Sequence, residues 1–255
     1  MEGNFAWQNA LQKFRGTVFA LESANIVGYQ EQTMKNATGY NFIVPTFKNV
    51  GGNGEKVIDL QSIKLVNAAG DGMTDWIEVW DDTGSMTDTA YFWVTKDGGA
   101  EKDGWVTEMM GTDYAEDVTV SMGAGFYLNM NTEGATVQYS GEVVQSDLIS
   151  DELPTGYNII GNATPVPVDL QKITLLNAAG DGMTDWIEVW DETGSMTDTA
   201  YFWVTKDGGA EKDGWVTEMM GTDYAEGITF APGEGIFFNC NSSGVKVKIP
   251  APIAL

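Results

Sequence analysis

Trp76-Ile77-Glu78-Val79-Trp80 decides how this chain is read, and it returns unchanged as Trp186-Ile187-Glu188-Val189-Trp190. Side chains of a strand alternate between faces, so Ile77 and Val79 share one face while Trp76, Glu78 and Trp80 share the other. One face is aliphatic and suits a core; the other is largely aromatic. The stretch Tyr91-Phe92-Trp93-Val94-Thr95 repeats the division, with Phe92 and Val94 on one side and Tyr91, Trp93 and Thr95 on the other. Between the two runs, Asp81-Asp82-Thr83-Gly84-Ser85 supplies turn residues. Lys96-Asp97-Gly98-Gly99 supplies a second turn, as antiparallel hairpins require.

Outward from this core the identity continues. Asn67 to Glu116 recurs as Asn177 to Glu226, the one difference being Asp82 against Glu192. Weaker similarity pairs LQSIKLV from Leu60 with LQKITLL from Leu170, and MGAGFYLNMN from Met122 with PGEGIFFNCN from Pro232. Gly39-Tyr40-Asn41-Phe42-Ile43 matches Gly156-Tyr157-Asn158-Ile159-Ile160, after which the first copy carries a longer loop through Gly51 and Gly54. Each copy is expected to contain a Tyr-Asn strand, a Leu-Gln-x-Ile strand, the two aromatic strands, the Gly-Trp-Val-Thr segment and a final strand after Gly-x-Gly. A strand over Val137 to Val144 closes the first copy. Short strands at regular spacing predict an all-β chain of two tandem antiparallel β-sandwich or barrel-like repeats, preceded by a short N-terminal arm or helix. Trp7, Leu11 and Phe14 fall on one helical face in that arm. The divisions are 1–25 for the arm, 26–140 for the first repeat and 141–255 for the second.

Composition narrows function. The chain of 255 residues is 43% hydrophobic, enough to give each repeat a core. It carries 37 acidic against 13 basic residues and a formal charge of −24, which repels phosphate backbones and excludes nucleic acid as a partner. Self-association of so acidic a protein needs screening by salt or cations, or an apolar interface. There is no histidine, so the usual general base near neutral pH is missing. Paired carboxylates of a glycosidase remain conceivable, but no other catalytic signature accompanies them, and the expectation is a protein that is not an enzyme. Cys240, the single cysteine, stands where the first repeat has Met130 and reads as a small apolar core residue. No run approaches the roughly 18 apolar residues of a membrane span.

Several residue sets are candidates for function. Trp76, Trp80, Tyr91 and Trp93, with Trp186, Trp190, Tyr201 and Trp203, form an aromatic set that would be a subunit interface, where Trp and Tyr are enriched, or a platform for sugar rings. Alternatively both faces are buried. Asp71 and Asp75, with Asp181 and Asp185, supply oxygen ligands of the type calcium takes. The spacing matches no EF-hand, and the competing reading is turn residues capping backbone amides. Calcium is therefore the one cofactor considered. Asn36-Ala37-Thr38, Asn162-Ala163-Thr164 and Asn241-Ser242-Ser243 match the glycosylation acceptor pattern.

Glu22-Ser23-Ala24-Asn25-Ile26-Val27-Gly28-Tyr29-Gln30, with the later Gly39-Tyr40-Asn41 and Leu60-Gln61-x-Ile63, resembles uncharacterised exported bacterial β-repeat proteins. The resemblance covers the first 65 residues or so by motif and implies no activity and no catalytic residues. It implies an export boundary near Ala20 and so an extracellular or cell-surface location. On this reading the chain is expected to be an acidic structural subunit that self-assembles with its own copies into a filament or surface layer. The segment holding Val18, Phe19, Leu21, Ile26, Val27 and Tyr29 would act as an assembly arm through strand addition. The competing expectation is a carbohydrate-binding module with two similar aromatic sites for glycans.

Overall fold

The computed structural model describes residues 27–34, 38–48, 57–80, 86–94, 104–111, 113–116, 118–190, 196–204, 214–221 and 223–252. The expected arm over 1–25, its helix, and the turns at 81–85 and 96–99 lie outside the described residues. What is described is an antiparallel β-sandwich protein. No described helix is long and apolar enough to cross a membrane.

The first half contains β1 (Val27–Thr33), β2 (Gly39–Ile43), β3 (Val57–Asp59), β4 (Lys64–Val66), β5 (Asp71–Trp80), β6 (Met86–Val94), β7 (Gly104–Val106), β8 (Thr119–Ser121), β9 (Phe126–Met130) and β10 (Thr136–Glu142). The second contains β11 (Leu148–Ile149), β12 (Gly156–Gly161), β13 (Val168–Asp169), β14 (Thr174–Leu176), β15 (Asp181–Trp190), β16 (Met196–Val204), β17 (Gly214–Val216), β18 (Thr229–Phe230), β19 (Gly235–Cys240) and β20 (Lys246–Ile249). Each half has a five-stranded sheet, β2-β9-β5-β6-β7 or β12-β19-β15-β16-β17. Each adds a three-stranded sheet, β1-β10-β4 or β11-β20-β14, and a two-stranded ribbon, β3-β8 or β13-β18. Strand order is the same in both halves, position for position. The sequence division at 140/141 lies inside β10, which is held between β1 and β4.

The Leu-Gln-x-Ile motif is a correction to the strand expected there. Leu60–Ser62 and Leu170–Lys172 are single 3-10 turns, because Asp59 and Asp169 accept the amides of Gln61 and Gln171 at 2.8 Å and start a turn instead of an extended run. The motif instead ties the sheets together. The Gln61 amide donates to the carbonyls of Trp105 and Ala115 and accepts the amide of Trp105, while the Trp105 indole donates to the Ile63 carbonyl at 2.8 Å. Gln171, Trp215, Ala225 and Ile173 repeat the arrangement. Trp105 and Trp215 can be fully buried because the one polar atom of each indole finds a partner.

One core cluster runs through both halves. Ile77, Leu128 and Trp105 of the first five-stranded sheet meet Leu65 and Val137 of the three-stranded sheet and Ile58 and Val120 of the ribbon, and the same cluster contains Ile187, Phe238 and Trp215. Cys240 is buried within it, as expected for a small apolar residue. Burial pushes its thiol up to about 12, with the Asp185 carboxylate adding to the effect.

The halves join reciprocally. Ile43, at the end of β2, bridges Glu234 ahead of β19, and Ile160, at the corresponding point of β12, bridges Ala124 ahead of β9. Ala124 and Glu234 are the same position of the two copies, so this is an isologous contact made within one chain. Backbone bonds from Val44 to Gly233 (3.0 Å) and from Gly125 to Ile159 (2.8 Å) complete it. The two strands approach so closely that a Cβ on Gly125 would stand 2.5 Å from both the Ile43 carbonyl oxygen and Ile159 Cγ2. Gly125→Ala is therefore expected to destabilise the protein by about 2 kcal/mol, the scale of an overpacked site. Urea unfolding followed by tryptophan fluorescence checks this, and because the core is shared the loss should appear in one cooperative transition.

Candidate functional site

The outward face of the five-stranded sheets carries the candidate site. Antiparallel register sets Tyr40 beside Asn129 and Asn129 beside Trp76, then Phe42 beside Tyr127 and Tyr127 beside Glu78. These residues share a face because directly opposed positions do. The opposite face of the same strands supplies Asn41, Ile43, Leu128 and Ile77 to the interior. In the second half Tyr157, Asn239, Trp186, Ile159, Phe237 and Glu188 occupy the matching places.

Because β2 and β12 are the strands that meet at the junction, the two faces run into one another. Trp76 packs edge-on to Tyr40 at 5.8 Å between ring centroids, and Tyr40 to Tyr127 at 5.9 Å. Tyr127 and Phe42 both contact Phe237 of the other half, at 5.5 and 4.6 Å. Phe237 reaches Tyr157 at 5.7 Å, and Tyr157 reaches Trp186 at 6.4 Å. The result is one continuous aromatic strip. Edge-to-face pairs of this kind each contribute about 1 kcal/mol beyond burial, so the strip is rigid before any ligand arrives. Its outer flanks are also fixed: Trp76 and Tyr114 pack on Val106, and Trp186 and Tyr224 on Val216.

The strip is neither core nor fully open surface. Tyr40 and Tyr157 are 46% and 45% exposed, and the other rings are half-buried. Two carboxylates sit at its centre. Burial raises Glu78 above the usual carboxylate range. The Tyr127 hydroxyl is held far above its ordinary range by burial first, and then by the charges of Glu78 and Glu188 with Tyr40. The amide oxygens of Asn129 and Asn239, one beneath each end of the strip, are buried and find no hydrogen-bond partner among the described residues.

Of the aromatic residues singled out in the sequence, Trp76 and Trp186 are in the strip. Trp80 and Trp190 end β5 and β15 beyond a register shift. In β6 the register sets Phe92 opposite Trp76, Tyr91 opposite Ile77 and Trp93 opposite Trp105. Tyr201 and Trp203 pair with Ile187 and Trp215 in the same way. Tyr40, Phe42, Tyr127, Tyr157 and Phe237 do not stand out in the sequence. Their signal is the same alternation, in Tyr40-Asn41-Phe42 and Tyr127-Leu128-Asn129, which reads as a strand until the neighbouring strands are known.

The acidic candidates are engaged by the chain itself. Asp75 is buried; its carboxylate accepts the amides of Asn131 (2.7 Å) and Thr132 (2.9 Å), the Thr132 hydroxyl and the amide of Ala69. Asp185 does the same for Asn241, Ser242 and Ala179. Asp71 accepts the amides of Met73 and Thr74 and the Thr74 hydroxyl at 2.6 Å, and Asp181 repeats this with Met183 and Thr184. Among the described residues no three His, Cys, Asp or Glu side chains cluster as metal ligands do. Of the expected arm, Val18, Phe19, Leu21 and Ile26 lie outside the described residues. Val27 and Tyr29 are 62% and 63% exposed on β1, whose partner strand is β10 of the same chain. Of the glycosylation motifs, Asn36 lies outside the described residues. Asn162 is buried and donates to Val166 and Phe230, which closes it to modification, and Asn241 is exposed.

Comparison with family models, with curated proteins and with solved structures finds no match to this chain.

The engaged carboxylates should be visible in stability. Asp75→Ala is expected to cost about 3 kcal/mol in denaturant unfolding, since it removes the buried acceptor of the Ala69, Asn131 and Thr132 amides and of the Thr132 hydroxyl. Asp71 and Asp181 titrate below the usual range, chiefly because the hydroxyls of Thr74 and Thr184 donate to them. A carboxyl whose pKa falls on folding stabilises the native state above its unfolded value and loses that contribution as pH drops through the native one. The stability difference between the native chain and Asp71→Asn/Asp181→Asn should thus be full above about pH 4, the ordinary Asp range, and close at lower pH. Melting temperature measured from about pH 7 down to about pH 2 reads it.

Proposed function

We propose that the protein is a non-catalytic binding protein for neutral carbohydrate chains, acting outside the cell or on its surface. The observation that carries this reading is the aromatic strip, continuous across the junction of the two halves. Ring faces and edges receive the C–H surfaces of a sugar, and the acceptors within the strip suit its hydroxyls. Small-ligand sites combine a preformed apolar surface with a few placed polar groups, and the strip has both. The central carboxylates weigh against a permanent protein interface here. Glu is depleted from interface cores, and covering Glu78 and Glu188 with another apolar surface would take both carboxylates out of water. A polyhydroxylated ligand brings donors to them. The overall charge favours neutral over acidic glycans. The surface location rests on the resemblance of residues 22–30 to exported proteins.

A second reading, self-assembly, is favoured by a separate observation. β1 is the outer strand of its sheet, and its exposed positions include Val27 and Tyr29. Among the described residues no strand pairs with its other edge, and an edge of this kind takes another strand by backbone hydrogen bonding.

The test is a panel of neutral oligosaccharides titrated against the full chain by calorimetry and tryptophan fluorescence. Tyr40→Ala/Tyr157→Ala should weaken binding at least tenfold; each position also gives up two ring contacts and so lowers the melting temperature, and binding is therefore measured well below it, with circular dichroism verifying the fold. Unaltered binding in that variant, or no binding across the panel, rejects the carbohydrate reading. Sedimentation of the same samples measures self-association independently, and only its loss on Tyr29→Lys would support the second reading.

A further inference from the structure

The corner where β5 begins carries a group of side chains that the aromatic strip does not use. Met73, Met109 and Met110 are 48%, 60% and 69% exposed, and Met183, Met219 and Met220 are 48%, 60% and 68% exposed. They dominate the large apolar side chains left in water among the described residues. Two backbone bonds assemble each group. Gly111 donates to Glu108 at 2.9 Å and closes a turn with Met109 and Met110 at its tip, and Met110 donates to Gly72 at 2.9 Å, clipping that tip beside Met73. Gly221, Glu218, Met220 and Gly182 make the same two bonds in the second half.

This is an unfavourable place for methionine on folding grounds. Met110 and Met220 have φ of 54° and 56°, in the left-handed region where a turn normally takes Gly or Asn. A long apolar chain in that conformation, turned to solvent, adds nothing to the core. What it does present is sulfur. Thioethers are soft, neutral donors that select Cu(I) and similar ions over the hard cations carboxylates prefer. Asp71, two residues before Met73, is already engaged by Met73 and Thr74. Met has enough rotatable bonds for three neighbouring side chains to converge on one ion, and a chain of charge −24 draws cations to its surface.

We propose that the Met73, Met109 and Met110 corner and the Met183, Met219 and Met220 corner each bind one soft monovalent metal ion, Cu(I) or its surrogate Ag(I), through thioether sulfur. Metal binding here is independent of the carbohydrate reading. Thioethers have no proton to lose, so binding does not weaken on acidification as thiolate or carboxylate ligation does.

The experiment uses the full chain with Ag(I), and with Cu(I) supplied as a complex of a competing chelator, read by native mass spectrometry and chelator competition near neutral pH and again about two pH units lower. Two ions per chain are expected under both conditions. Replacing Met73, Met109 and Met110 by Leu should remove one ion, and replacing all six should remove both. These changes are close in volume at exposed sites, and circular dichroism verifies the fold. A Cys240→Met variant, which carries the residue found at position 130, should still bind two. No ion retained at equimolar chelator, ions retained by the six-Leu variant, binding lost on acidification, or an ion lost with Cys240 would each overturn the proposal.

Discussion

The close approach of two backbones at Gly125 and Gly235 is the constraint on which the rest of the molecule depends. A Cβ at Gly235 would meet Ile159 Cγ2 and the Phe42 Cβ at 3.0 Å, as one at Gly125 would meet Ile43 and Ile159. Glycine eases the pairing of Ile43 with Glu234 and of Ala124 with Ile160: at Gly125 any Cβ forces a shift, and at Gly235 it fits only tightly. That pairing sets the outward faces of β2 and β12 against each other, so Phe42 of one half packs on Phe237 of the other. Two similar aromatic faces thereby become one surface. A strip twice the length of either half follows from where the edges meet and from Phe42, whose counterpart in the second half is Ile159.

β1 reinforces this junction from the side. The Gln30 amide donates to the Pro232 carbonyl at 3.0 Å, and the Gln32 side chain lies so near Gly233 that a Cβ there would meet its oxygen at 2.3 Å. The first half thus holds the turn before β19 both by β2 and by β1. The second half has only the two-residue β11 in the corresponding place. The halves are alike in topology and unlike in what they contribute to their own contact. Acidic residues secure the opposite ends of the strands. Asp75 and Asp185 hold the turn after β9 or β19 against the loop before β5 or β15, so carboxylates at these corners fix strand ends.

Much of the fold is legible in the sequence because alternation is a local property. Trp76-Ile77-Glu78 assigns Ile77 to the core, where it is fully buried, and Trp76 to the outer face. Leu60-Gln61-x-Ile63 misleads for the opposite reason. Its two apolar residues invite an extended reading, yet Gln61 serves Trp105 and Ala115, partners far along the chain that the motif does not display. The site is half legible. Trp76 and Trp186 stand out by type, whereas Tyr127 and Phe237 matter through register and through the junction, and neither is written in any one segment. The exposed methionines are hidden by composition itself, which counts Met as core.

The aromatic and methionine surfaces are consequences of the same strand. β5 is long, and its beginning and middle serve different ends: Gly72 anchors the methionine turn while Trp76 and Glu78 line the strip. Between them Asp75 points inward to the turn after β9. A strand that must satisfy a buried carboxylate at one position cannot slip its register by one residue, since every side chain would then change face. The buried charge of Asp75 therefore holds Trp76 outward and Ile77 inward, and through β9 it fixes where Tyr127 meets the second half. Polar satisfaction at an inconspicuous turn is what keeps the aromatic surface in line.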